Sequence, residues 1–217
     1  MIVLNFKTYS ESTGDKALKL AQICKEVADQ TGVPIIIGLQ AVDIFRVSRS
    51  VSLPVFGQHL DPFEPGRNTG FIMAQSLKRA GASGVFLNHS EHPYKNLSLL
   101  EKGIKAAKEN GLKTLVFTKD LEEAQKIDQF KPDYLALEEP SLVSSGKAMV
   151  EFPKLLEMLK NFSQEIEAIP LIGAGVSNKK DVLASLKFGL KGVVLSSAFV
   201  KSSDPKVFLE SLVTCFK

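Results

Sequence analysis

Eight short apolar runs, each followed by a segment of helical character, leave this chain few folds to choose from. The runs are Ile2–Phe6, Pro34–Leu39, Pro54–Gln58, Gly84–Asn88, Lys113–Thr118, Tyr134–Glu138, Pro170–Gly175 and Gly192–Ser196. They are apolar almost throughout instead of alternating, as parallel strands covered on both faces must be. The segments between them carry helix signals. Ala17, Leu20, Ala21, Cys24, Val27 and Ala28 form a stripe at helical spacing, with Gly32 placed to end it. Asp120 and Asn178 stand where N-caps belong, and Asp204-Pro205 opens the last helix with a cap and a proline at its first position. Parallel strands joined through helices cross over right-handed. Eight such units close as a (β/α)8 barrel, expected here as one domain over residues 1–217 with no linker or low-complexity tract. The fold typically takes ~250 residues, so several helices must be shortened, above all around Asp120–Lys126. An open doubly wound sheet is the competing arrangement. Its dinucleotide-binding version lacks a G-x-G-x-x-G after the first strand.

Composition removes other classes. A net charge of +3 is too small to argue for nucleic acid, and the lysines are spread along helix faces. No apolar stretch approaches the ~20 residues of a membrane helix, and Met1 runs straight into a strand, so no signal peptide is expected. Cys24 and Cys215 have no metal-ligand spacing around them, and Cys24 reads as packing. No metal and no cofactor is expected, and a reducing cytoplasm fits the whole.

Chemistry gathers at strand ends, where a barrel of parallel strands keeps its reactive groups. Gly84-Val85-Phe86-Leu87 runs into Asn88-His89-Ser90-Glu91. Val3-Leu4 leads to Asn5-Phe6-Lys7, and Tyr134-Leu135-Ala136-Leu137 ends in Glu138. A lone histidine after an apolar run is more often a packed or surface group than a catalyst. Here a cation, an imidazole and a carboxylate end three strands of one chain.

With these residues in view, the chain resembles the triosephosphate isomerase family, in its short archaeal form, over nearly its whole length. The resemblance rests on Asn5-Phe6-Lys7 after the first strand, Gln58-His59 with Asn68-Thr69-Gly70 around the third, and Asn88-His89-Ser90-Glu91 after the fourth. Glu138 with Ser145-Gly146-Lys147 follows the sixth strand and Gly173-Ala174-Gly175-Val176 the seventh. Each motif alone is weak; their order on these strands is the signal.

The resemblance implies interconversion of dihydroxyacetone phosphate and glyceraldehyde 3-phosphate through an enediolate. Moving a hydrogen between adjacent carbons needs a base for the carbon-bound proton and an acid to polarise the carbonyl. By the resemblance Glu138 is that base and His89 a neutral electrophile, expected at a helix start whose dipole disfavours a second positive charge. Lys7 supplies a cation for the developing oxyanion, Asn5 a donor, and Glu91 the carboxylate that holds the lysine. Phosphate is expected against backbone at Gly173, Gly175, Ser196 and Ser197, where barrels often bind it. Val143 and Ser144 lie in the donor region of a lid that closes over substrate. By the resemblance, the long loop His59–Gly70 is expected to enter a neighbouring subunit and bring Thr69 to its site, which makes a homodimer the minimum expectation and a tetramer the alternative.

The chain departs from the family pattern at four places. Glu139 replaces a hinge proline, Ser144 a glycine, His92-Pro93 an arginine after the helix-starting glutamate, and Ser196-Ser197 two glycines. The first puts lid stiffness in question, the second the phosphate donor geometry, the third the support of the site. Two rival readings remain: another phosphosugar barrel enzyme, and a catalytically impaired barrel that only binds a phosphorylated metabolite.

Overall fold

The strands close into a parallel barrel in chain order, and this closure decides which residues meet. The computed structural model describes residues 1–138, 153–173 and 176–216. Strands β1 (Ile2–Asn5), β2 (Ile35–Leu39), β3 (Val55–Gly57), β4 (Gly84–Leu87), β5 (Lys113–Thr118), β6 (Tyr134–Leu137), β7 (Ile169–Ile172) and β8 (Gly192–Leu195) pair with their neighbours, and β8 returns to β1. Val3 lies beside Ile36 on one side and Val194 on the other.

Alternation along each strand builds two cores. Val3, Ile36, Phe56, Phe86, Leu115, Phe117, Tyr134, Ala136, Leu171 and Val194 point into the barrel and pack on one another. Their neighbours, such as Leu4, Ile37, Val85, Val116, Leu135 and Leu137, face the helices. Rings fill the interior: Phe56 and Phe86 lie 5.9 Å apart, and Phe86 meets Phe117 edge-on at 5.7 Å. Gly38 makes room for them, because a Cβ there would fall inside the Phe86 ring.

The helices are α1 (Asp15–Thr31), α2 (Ala41–Ser48), α3 (Ala74–Arg79), α4 (Leu97–Glu109), α5 (Leu121–Asp128), α6 (Pro153–Glu165), α7 (Lys179–Lys187), α8 (Ser197–Val200) and α9 (Pro205–Val213). Shortening is concentrated in α2, α3 and α5, of 8, 6 and 8 residues. The stripe of α1 is buried, Cys24 included, and Gly32 ends it in a left-handed conformation (φ 72°) with its N–H on Ala28 O. Asp120, Asn178 and Asp204 each cap a helix through the side chain, and Pro205 takes the first position of α9.

Most strands stop sooner than the apolar runs suggested, since Phe6, Gln58, Asn88, Glu138 and Ser196 lie beyond the last paired residue. The backbone leaves the ladder there and turns over the barrel mouth, at Lys7 (φ 47°) and Asn88 (φ 59°) through left-handed residues. A second correction concerns His89, where a helix start was expected. Residues 89–92 form one turn, closed by His92 N–H on His89 O at 2.8 Å, and α4 begins only at Leu97. Pro93 is the physical reason. It lacks a backbone donor and biases His92 away from helical backbone, so the turn cannot propagate.

Candidate active site

Three strand exits converge over the barrel mouth, and each positions its polar group by a local device. After β1, Asn5 Oδ1 accepts the backbone N–H of Lys7 at 3.0 Å. That short turn folds Lys7 back over the mouth in its left-handed conformation. Its ammonium reaches Glu91 Oε1 at 2.6 Å, the lysine side chain 12 % exposed and the glutamate 56 %. The side-chain amide of Gln58, at the exit of β3, donates to Lys7 O at 3.0 Å and lies 3.3 Å from both Asn5 Oδ1 and Gly38 O. It therefore ties three strand exits together.

After β4, the left-handed Asn88 acts as a bracket, its Nδ2 on Phe117 O and its Oδ1 under the Tyr94 N–H, both at 3.1 Å. His89 is buried and meets the Phe117 ring edge-on at 4.6 Å. The backbone N–H of Glu91 donates to His89 Nδ1 at 3.1 Å. An Nδ1 that accepts cannot carry a proton, so the neutral ring holds its hydrogen on Nε2. Burial holds the imidazole pKa below its ordinary value; Lys7 adds to this, while Glu138 and Glu91 oppose it. The neutral form follows from burial and this backbone donor, not from a helix dipole, since no helix starts there.

After β6, alternation continues one residue past the ladder. Tyr134 and Ala136 face the interior, and buried Glu138 follows on the same side, its N–H still on Thr118 O at 2.8 Å. Ser90 Oγ donates to Glu138 Oε2 at 2.8 Å, and His89 Nε2 stands 3.6 Å from Oε1. The second distance is too long for a hydrogen bond. Carboxylate and imidazole face each other without a hydrogen bond between them.

The phosphate half expected from sequence is described in part. Gly173 N–H bonds Leu137 O at 2.9 Å, and a Cβ there would stand 3.5 Å from the Glu138 side chain. Ser196 is the residue before α8, and Ser197 is its first, exposed residue. Ser196 Oγ is buried without a hydrogen-bond partner among the described residues. Gly175, Val143 and Ser144, with the whole of the expected lid from Glu139, lie outside the described residues. Thr69 is exposed on the long loop.

A cleft of about 410 Å3 opens over these groups, with Asn5, Lys7, Gln58, His89 and Glu91 among its walls. Among the described residues no group of three His, Cys, Asp or Glu side chains is placed to hold a metal, and no helix is long and apolar enough to cross a membrane. Sequence reasoning assigned no part to Gln58, Ser90 or Asn88, although each stands in a motif it quoted. A strand-end polar residue beside a catalytic candidate was the available signal. Such an arrangement suits moving a proton between adjacent carbons, with the buried Glu138 carboxylate facing the neutral N–H donor of His89 and the Lys7 ammonium in the adjoining cleft.

Comparison with known proteins agrees in sequence and in fold. The family model described as triosephosphate isomerase matches residues 1–214. A triosephosphate isomerase of Methanothermus fervidus is 39 % identical, covering 99 % of this chain and 97 % of that protein. One from Methanosarcina barkeri is 41 % identical, covering 98 % of this chain and 96 % of its own length. A crystal structure of triosephosphate isomerase from Bartonella henselae superposes with a TM-score of 0.77 at 17 % identity, over 99 % of this chain and 98 % of that one. At that identity the superposition speaks for the fold alone.

Proposed function

The chain belongs to the triosephosphate isomerase family, and from that premise we propose that it interconverts dihydroxyacetone phosphate and D-glyceraldehyde 3-phosphate through an enediolate, as a step of glycolysis and gluconeogenesis in the cytoplasm. The observation that carries the reading is the facing pair. Glu138 Oε1 and His89 Nε2 stand 3.6 Å apart, while Glu91 N–H occupies His89 Nδ1. Glu138 takes the proton from the substrate carbon next to the carbonyl. His89 donates its Nε2 hydrogen to the carbonyl oxygen, and the ammonium of Lys7 stabilises the negative charge that gathers there. Return of the proton to the neighbouring carbon completes the exchange of aldehyde and ketone. A glutamate base opposite a neutral histidine is this family's own worked chemistry.

Asn5 holds the Lys7 turn and faces the substrate, and Glu91 keeps the ammonium over the mouth. Phosphate is bound through backbone N–H groups at Gly173, Gly175, Ser196 and Ser197 and, once the lid closes, at Val143 and Ser144. Serines in place of glycines leave those N–H donors available. Binding energy from this remote group speeds the chemistry by driving closure. The working unit is one domain over residues 1–217, paired at least as a homodimer in which Thr69 of each copy supports the other's site. The reaction uses no cofactor and no metal.

A coupled isomerase assay on the purified protein tests the reading. Turnover of both triose phosphates is expected, and Lys7→Met should abolish it. Binding without turnover would favour an impaired phosphate-binding barrel, and turnover of a different phosphorylated sugar another barrel enzyme. Lys7→Met within a few-fold of the parent would show that the cation is misassigned.

A further inference from the structure

His59 and His92 lie outside the proton-transfer set, yet they form the tightest aromatic contact among the described residues. Their rings stack 3.9 Å apart, 19° from parallel. His59 stands at the root of the long loop, just after β3. His92 closes the turn that carries His89 and Glu91, through its N–H on His89 O. The loop root is itself clamped, because Asp61 Oδ2 accepts Ile72 N–H at 2.8 Å and Asp61 N–H reaches Ile72 O at 2.7 Å. Asp61 Oδ1 lies 3.4 Å from His59 Nε2. Tyr94 completes the joint, with its ring 5.4 Å from His59 and its hydroxyl donating to Leu60 O. Loop root and catalytic turn thus meet through two imidazoles.

We propose that the stacked His59–His92 pair is a proton-sensitive latch, which pins the loop root to the turn carrying His89 and Glu91 and is released when both rings are charged. Two imidazolium rings at this separation repel each other, so the second proton enters only as the stack opens. The groups facing the pair set its balance. Asp61 favours a charge on His59, and Tyr94 is neutral. Lys7, Glu91 and His89 share the cleft wall, the first two as an ion pair of no net charge. Burial and the neighbouring His92 both hold His59 below its ordinary value, with Asp61 opposing them. His59 and His92 act here as positioning residues, since His92 meets the facing pair through its backbone, on His89 O.

The three imidazoles can be followed by NMR titration, assigned with His59→Phe and His92→Phe. In the parent, the stacked pair should take up its two protons in separate steps. His92→Phe keeps a ring on the stack without a charge, so the His59 midpoint should rise. An unchanged midpoint overturns the latch. Exchange of the Ile72 amide, corrected for its intrinsic pH dependence, should quicken below the second step in the parent and not in His92→Phe. Equal exchange in both overturns it as well. Only the kinetic arm rests on the isomerase reading. There the acid limb of normalised kcat/KM should be shallower in His92→Phe than in the parent, and identical limbs would overturn the latch's bearing on the site. If His92→Phe does not fold, His92→Gln supplies the same comparisons.

Discussion

At the scale of the residue, Glu138 tunes His89, and Ser90 holds the carboxylate in place. Glu138 opposes the burial that keeps His89 neutral. Replacing it by glutamine should push the His89 midpoint further down, while lowering kcat by ~10²–10⁴-fold or more for loss of the proposed base. A His89 midpoint that rose in Glu138→Gln would mean the two groups do not face each other in solution. Ser90→Ala removes one hydrogen bond to the carboxylate, worth about 0.5–1.5 kcal/mol. It should therefore cost roughly tenfold or less in kcat. A loss as large as that of Glu138→Gln would make Ser90 more than a support. Asn5, Lys7, His89 and Glu138 were legible in the sequence because each ends an apolar run in a polar group. The left-handed backbone of Lys7 and the Ser90–Glu138 bond were not. The first depends on an asparagine side chain two residues back, and the second joins residues 48 positions apart through barrel closure.

At the scale of the element, the caps were readable and the strand ends were not. A cap is local: Asn178 precedes α7, accepts the N–H groups of Lys180 and Asp181 through its side chain, and donates its own backbone N–H to the Asp181 carboxylate in return. A strand end depends on how long the neighbouring strand continues, which periodicity does not record. That is why the runs drawn through Gln58 and Glu138 overshoot β3 and β6. The helix start expected at His89 failed for a reason present in the sequence, the proline at position 93, which should have outweighed the motif. Asn178→Ala should cost about 0.5–2 kcal/mol of stability, or a few degrees in Tm for a chain of this size. Because α7 follows the loop that starts at Gly173, the variant should also weaken phosphate-bearing substrates modestly. A Tm unchanged in thermal unfolding would show that the capping box adds nothing beyond the packing of Val182.

At the scale of the whole molecule, a closed barrel has no free sheet edge to offer a partner, so association must use loops and helix faces. Eight strand–helix units were enough to reach closure from sequence. Which copy completes the site was open only to the family resemblance. The long loop is the element that bears on this. Phe63 and Phe71 are 42 % and 53 % exposed and meet edge-on at 4.8 Å, an apolar knuckle on a polar loop. On α2, Val42 at the rim of the active-site cleft is 80 % exposed and Phe45 is 58 % exposed. Apolar surface clustered in this way marks an interaction site more often than idle exposure does. The clamp between Asp61 and Ile72 makes a clean test possible, because residues 63–70 can be exchanged for a short glycine-rich turn without touching β3 or α3. The barrel and all of its strand-exit groups would then remain, while the loop tip with Thr69 and with Phe63 of the aromatic knuckle would be lost. Sedimentation should show a folded monomer with far-UV circular dichroism close to the parent's, and kcat should fall by orders of magnitude for want of the partner's loop. A fully active monomer would establish that each barrel works alone and that Thr69 supports no neighbouring site.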